Sequence, residues 1–114
     1  MKTLTLQITG DSFRKILSGE QKIESREIRP KSAKRYVEIN ADGDAVDLIL
    51  FDELYLINGR QPNSPRLNVN VESTELVYLE DEDGEIIKFK ENGEEYLLCR
   101  VEYTLGQITN KINC

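Results

Sequence analysis

The chain has 114 residues, of which 39% are apolar and 32% charged, with a formal net charge of −6. This size and composition predict one domain over residues 1–114 with a single core. The absence of histidine excludes histidine catalysis and histidine metal ligands, and two cysteines are too few for structural zinc or a disulfide framework. The N-terminus is unlike a signal peptide and no apolar run could span a bilayer. We therefore expect a cytoplasmic protein with no membrane, metal or cofactor partner.

Charge is divided unevenly along the chain. Residues 1–37 carry nine lysine or arginine residues and four acids, a net +5, whereas the rest carries six and seventeen, a net −11. A basic segment in an otherwise acidic domain is typical of a surface that binds an anion. Chance scatter of charge in a small acidic domain is the alternative explanation.

The first part of the chain predicts a strand, a short helix and a second strand. Polar and apolar residues alternate over 3–8, which is typical of a half-buried strand. Thr9 or Asp11 can cap the helix that follows, and Gly19 falls where a left-handed residue ends a helix. Residues 21–29 are expected to be extended.

The rest of the chain predicts further strands. We expect one long buried strand, bent at Asp52-Glu53, then a strand after the Asn58-Gly59 turn and a meander closed by two Gly-containing hairpin turns. These strands cover residues 46–57, 67–79, 75–82, 85–91 and 95–105. In the last of them, Leu97, Cys99, Val101 and Tyr103 are expected to share one face. Several short strands and one early helix indicate an α+β fold, a small mixed β-barrel with the helix packed over its opening.

Any chemistry is expected within residues 19–35. On an extended strand Lys22, Glu24 and Arg26 project to one side. Arg26 can bind a phosphate or a base edge in bidentate fashion, and Glu24 can accept from an amino or hydroxyl group. A surface ladder of ion pairs is the alternative, and it would contribute little stability.

A basic run follows, formed by Arg29, Lys31, Lys34 and Arg35 and ending at Tyr36. Cations beside an aromatic ring suit single-stranded RNA, since each stacked base contributes ~1–3 kcal/mol. Tyr36 could instead lead a strand into the core. Arg60 and Arg66 flank a proline-containing loop, 60–66, which would extend the patch if it folds over the cleft.

Residues 13–26 resemble the signature of the ASCH domain, a branch of the PUA-like β-barrels, in which a helix ending in glycine precedes a pattern like G-x-K-T-x-E-x-R. Gly19, Glu24 and Arg26 match this pattern. The resemblance implies a barrel of five to six strands whose cleft, between the helix and the motif strand, binds RNA or a nucleotide-like ligand. The likeness extends to the first strand, residues 26–30, Asn58-Gly59 and residues 103–108.

One departure from the signature concerns catalysis. The motif lysine would fall at Gln21, and Lys22, one residue later, faces the opposite side of a regular strand. A bacterial branch of the family hydrolyses acetylated cytidine with a lysine, a threonine and a distant glutamate. The first two positions read Gln21 and Glu24 here, so the resemblance favours binding over hydrolysis.

Three functions stay open at this point. The first is an ASCH-like module that binds RNA or a modified nucleotide. The second is a small nucleoside or amide hydrolase with Glu24 as its candidate base and Lys22 or Arg26 as electrostatic partner. The third is a protein-interaction domain that uses the acidic C-terminal strands. The predicted ligand-binding residues are Lys22, Glu24, Arg26, Arg29, Lys31, Lys34, Arg35 and Tyr36.

Overall fold

One α-helix and nine β-strands form the fold in the computed structural model, which describes residues 1–114. The predicted α+β class is confirmed. The helix, α1, has nine residues and is too short to cross a bilayer. In chain order the elements are β1 (Thr3–Gln7), α1 (Gly10–Ser18), β2 (Ile23–Ile28), a single 3-10 turn (Ala33–Arg35), β3 (Val37–Ile39), β4 (Ala45–Leu48), β5 (Glu53–Ile57), β6 (Arg66–Tyr78), β7 (Lys88–Glu91), β8 (Glu94–Leu97) and β9 (Cys99–Ile112).

Five strands form the main sheet, in the order β1-β5-β6-β9-β2. β1 lies parallel to β5, with Thr3 opposite Glu53, and β5 is antiparallel to β6. Two antiparallel pairs, β3-β4 and β7-β8, form separate two-stranded sheets. The main sheet ends at β1 and β2 without closing, so the barrel with a helix over its opening stays a prediction.

The contacts of the chain fall into two units. The first comprises Met1–Glu24, Leu50–Ser73 and Tyr103–Cys114, and the second comprises Ser25–Ile49 and Thr74–Glu102. β2, β6 and β9 each contribute residues to both units. The single domain over residues 1–114 therefore stays a prediction.

The helix forms where its capping signals predict it. The Thr9 side chain accepts a hydrogen bond from the Ser12 N–H, which satisfies one of the free donors of the first turn. Gly19 adopts φ 86° and its N–H donates to Ile16 O, which ends the helix as a left-handed C-cap does. Asp11 lies in the first turn and forms an ion pair with Lys15 at 3.2 Å. Thr9, not Asp11, is therefore the cap.

The core of the first unit is entirely aliphatic apart from two aromatic rings. The helix buries Phe13 against it, and Tyr103 is fully buried on β9. Fully burying one such side chain stabilises the fold by about 1.5–3 kcal/mol, so these side chains hold the sheet and the helix together. The aliphatic members with at most 1% exposure are Leu6, Leu54, Leu56, Leu67 and Val69.

The prediction of one buried strand over residues 46–57 is wrong. The run divides into β4 and β5, and Leu50 between them is 69% exposed. The division arises because the two halves pair with different strands, β4 with β3 and β5 with both β1 and β6. β3 begins directly after Tyr36, where the sequence allows a strand as one of two alternatives.

Both turns of the predicted C-terminal meander form, but the strand predicted after the second turn is divided. At the first turn Gly84 adopts φ 80°, and Glu80 and Ile86 form an antiparallel bridge across it. Asn92 and Gly93 adopt φ 53° and 81° and join β7 to β8, as the Asn-Gly signal indicates. The strand predicted over 95–105 breaks at Leu98, because β8 pairs with β7 whereas β9 belongs to the main sheet. Leu97 is 43% exposed, so it does not share the buried face of Val101 and Tyr103.

Candidate functional site

A pocket of about 310 Å³, named here the helix pocket, lies within the first unit. It is formed by the end of α1, the segment between α1 and β2, and parts of β6 and β9. The resemblance implies a cleft between the helix and the motif strand, whereas no residue of β2 lines this pocket. The lining residues are Ile16, Leu17, Ser18, Gly19, Gln21, Lys22, Val69, Leu105, Gly106, Ile108 and Lys111.

Gln21 is the polar group of this pocket that is most firmly held. Its backbone N–H donates to Lys15 O at 3.0 Å, and its Nε2 donates to Ile23 O at 2.9 Å and to Glu24 Oε2 at 3.3 Å. Both side-chain partners are acceptors, so only the amide nitrogen can face them. The Gln21 Oε1 atom has no hydrogen-bond donor and is left as an acceptor on a residue that lines the pocket.

Glu24 is buried on β2 and accepts a hydrogen bond from the Gln21 side chain. It is 7% exposed on β2, whereas its neighbours Ile23 and Ser25 are exposed, which fits the alternation of a strand with one inward face. Glu24 does not line the helix pocket, and Gln21 is the lining residue that it contacts. In the structure the carboxylate of Glu24 thus orients the amide of Gln21.

Two lysines supply the positive charge of the helix pocket. Lys22 and Lys111 both line it, both are exposed, and neither has a carboxylate within ion-pair distance. Lys22 precedes β2, and its backbone oxygen accepts from the Leu105 N–H at 2.8 Å, which fixes this segment against β9. The pocket therefore presents two ammonium donors and one fixed amide acceptor.

The Glu72 side chain of β6 lies against Gly106 of β9. A Cβ atom at this position would lie 2.8 Å from Glu72 Oε1 and 2.9 Å from Glu72 Cγ. A glycine inside a strand is a sequence signal for such a close approach, and it could have pointed to this pocket wall. No comparable signal marks Lys111, whose place depends on how far β9 continues.

The structure does not bring the predicted site residues into one place. Lys22 lines the helix pocket, whereas Arg29 and Lys34 line a different pocket in the second unit. Arg26 is half-buried in the second unit and Lys31 is exposed; neither lines a pocket.

Tyr36 departs from the expectation of a base-stacking ring. It is 3% exposed and leads directly into β3, which is the alternative that the sequence left open. Arg35 is exposed, with its guanidinium 5.7 Å from the centroid of the Tyr36 ring. A buried ring presents no face to a base, so Tyr36 does not stack on RNA in this structure.

The loop over residues 60–66 lines none of the pockets. Arg66 is held on β6, where its Nη1 donates to the Tyr55 hydroxyl at 3.2 Å and its guanidinium lies 5.9 Å from the centroid of the Tyr55 ring. Ser64 is buried and its hydroxyl accepts from the Gln61 N–H at 2.9 Å. The loop is thus fixed by its own contacts.

No protein-family model matches the chain, and neither the curated proteins nor the solved structures contain a match. The chemistry of the helix pocket therefore rests on the geometry described above.

Proposed function

We propose that the chain is an ASCH-like binding module, of the PUA-like barrel class, which holds RNA or a nucleotide in the helix pocket. The observation that carries the proposal is the pairing of two lysines without carboxylate partners with a fixed amide acceptor at the end of α1. The resemblance in sequence implies a ligand cleft beside the same helix and the same glycine.

The composition of the pocket suits a nucleotide. Lys22 and Lys111 can neutralise a phosphate, and Gln21 Oε1 can accept from an amino or imino group on a base edge. The side chains of Ile16, Leu105 and Ile108 give the base an apolar wall. A volume of about 310 Å³ lies at the lower end of the range for small-ligand sites, which favours one nucleotide over a longer segment in the pocket itself.

The other predicted residues have indirect roles in this proposal. Glu24 acts as a positioning residue, because its carboxylate holds the Gln21 amide with the oxygen outward. Arg26, Lys31 and Arg35 contribute to the positive charge of the N-terminal third of the chain. Such charge accelerates encounter with an anion and makes binding sensitive to salt.

Binding of a six-nucleotide single-stranded RNA of mixed sequence, and of nucleoside monophosphates, tests the proposal. The Lys22→Ala and Lys111→Ala variants should bind more weakly than Lys2→Ala, a matched control in the same unit that does not line the pocket. Each lysine that contacts a phosphate of a single strand adds about −0.7 to the slope of log K against log salt, so the double variant should have a slope flatter by about 1.4. Equal affinities and slopes for Lys22→Ala, Lys111→Ala and Lys2→Ala would contradict the proposal.

The hydrolase alternative has one observation in its favour, the burial of the Glu24 carboxylate. A buried carboxylate near a pocket is a candidate general base. Against it, Glu24 does not line the helix pocket, and its Oε2 accepts a hydrogen bond from the Gln21 amide at 3.3 Å. A screen of acylated nucleosides distinguishes the two functions: turnover by the wild type that Glu24→Gln abolishes would establish the hydrolase, and binding without turnover would establish the module.

A further inference from the structure

A second and larger pocket, named here the aromatic pocket, lies within the second unit. Its volume is about 550 Å³, and its walls come from the 3-10 turn, both two-stranded sheets and the ends of β2, β6 and β9. The size falls in the middle of the range for small-molecule sites. It shares no lining residue with the helix pocket.

The walls of the aromatic pocket expose apolar side chains to solvent. Leu76 is 38% exposed, Tyr78 44% and Leu97 43%, and all three line this one pocket. Large apolar side chains that converge in a concavity are typical of a ligand site, whereas single exposed ones are common on any surface. An apolar ligand would remove this surface from water.

An aromatic stack gives one wall a fixed shape. Phe89 on β7 and Tyr96 on β8 are opposite in the hairpin register, with ring centroids 5.6 Å apart and planes at 27°. The Arg29 guanidinium lies 4.4 Å from the Phe89 centroid and is also paired with the Glu27 carboxylate. Because Arg29 has these two partners, it is a structural part of the wall and its charge is offset.

The remaining charges of the lining are Lys34 and Asp44. The Lys34 ammonium has no carboxylate within ion-pair distance, and Asp44 is the single acid of the lining. Burial, with a smaller contribution from the Glu27 carboxylate, raises the pKa of the Cys99 thiol, which also lines the pocket. The thiol is therefore neutral at pH 7, and Lys34 is the group free to bind an anion.

We propose that the aromatic pocket binds a small molecule that joins an aromatic ring to a carboxylate. The ring packs against Leu76, Tyr78 and Leu97, and the carboxylate pairs with the Lys34 ammonium. This site is independent of nucleotide binding in the helix pocket.

Three compounds with the same ring and different charge test this proposal: indole-3-propionate, indole and tryptamine. Titration of the full chain, followed by amide chemical shifts and calorimetry, should show that indole-3-propionate binds about fivefold more tightly than tryptamine, with indole between them. That factor corresponds to one exposed ion pair. The shifted amides should be those of the pocket lining, and Leu97→Gln should weaken all three compounds.

The matched variants are Lys34→Glu and Lys31→Glu, which make the same charge change on two exposed lysines of one segment, of which only Lys34 lines the pocket. Lys34→Glu should reverse the preference so that tryptamine binds more tightly, and Lys31→Glu should leave it unchanged. Equal effects of the two variants, equal affinity for the three compounds, or displacement of indole-3-propionate by a single-stranded RNA hexamer would each overturn the proposal.

Discussion

The hydrogen bonds of Gln21 predict a large effect of a nearly isosteric change. Gln21→Glu replaces the amide nitrogen, which now donates to Ile23 O and Glu24 Oε2, by a carboxylate oxygen. Ile23 O and Glu24 Oε2 are both acceptors, and the oxygens of the new carboxylate also only accept. The variant therefore forms no hydrogen bond with either of them. It also places a second negative charge beside the buried Glu24 carboxylate.

The magnitude follows from the 3.3 Å that separates Gln21 Nε2 from Glu24 Oε2. Two unit charges at this distance repel by about 5 kcal/mol at an effective dielectric constant of 20. Position 21 is half-buried, so the side chain can move, and a separation of about 5 Å lowers the repulsion to about 3 kcal/mol. The lost hydrogen bonds to Ile23 O and Glu24 Oε2 add about 2 kcal/mol, which gives a decrease of about 5 kcal/mol in the free energy of unfolding at pH 7.

Urea denaturation measures this decrease, and a thermal melt should show a midpoint lower by about 20 °C. Gln21→Met is the matched control, since it removes the same hydrogen bonds without adding charge and should cost only about 2 kcal/mol. Combining Gln21→Glu with Glu24→Gln restores a donor opposite an acceptor. The double variant should therefore be more stable than the sum of the two single changes implies, by at least about 1 kcal/mol.

Two results would refute this reasoning. Equal stability of Gln21→Glu and Gln21→Met would show that position 21 does not face the Glu24 carboxylate. Strict additivity of Gln21→Glu and Glu24→Gln would show that the two side chains are not coupled, and the role of Glu24 as a positioning residue would then fail.

Two further predictions concern backbone geometry and pH. Gly59→Ala should lower the free energy of unfolding by about 2–3 kcal/mol in urea denaturation, because φ is 119° and a Cβ would lie 2.8 Å from the buried Ser64 hydroxyl. Gly43→Ala, at φ 87° with open space around it, should cost only about 1 kcal/mol, and an equal cost for both would rule out the clash. Burial, more than the Glu27 carboxylate, raises the pKa of Cys99, so the stability linked to this thiol is complete below the unfolded thiol pKa and is lost as pH rises through the folded value. The wild type should thus lose more stability than Cys99→Ala between about pH 8 and about pH 10, and an equal loss would contradict this assignment.

The elements that the sequence predicts correctly are those set by neighbouring residues. The Thr9 cap, the Gly19 C-cap and the Asn92-Gly93 turn each depend on the conformation of one or two residues and on partners within four positions. These preferences act before any tertiary contact forms, so they can be read from the sequence.

Strand boundaries depend on distant partners and could not be predicted in the same way. The apolar run over residues 46–57 looks continuous, yet it breaks at Leu50 because its two halves pair with strands from different parts of the chain. The same reason separates β8 from β9. Alternation and composition describe which residues suit a strand, and pairing decides where it ends.

The residues of the candidate site could also be predicted only in part from the sequence. The segment after Gly19 was predicted, and Gln21 and Lys22 do line the helix pocket. Lys111 was not predicted, because only the folded sheet brings β9 beside this segment. For Tyr36 the sequence leaves both base stacking and a strand into the core open, because the contacts that bury it before β3 are not encoded by its neighbours.

The interleaving of the two units has a consequence for folding. The first unit is assembled from three separate stretches of chain and the second from two, and β1 pairs with residues 50 positions away, Thr3 with Glu53. The first unit needs residues up to Cys114 and the second needs residues up to Glu102, so neither can form early during synthesis. A topology dominated by such distant pairings is expected to fold in milliseconds to seconds. Until β9 has left the ribosome, β6 and β2 lack the strand that lies between them in the main sheet, and this interval is when the chain is most exposed to aggregation.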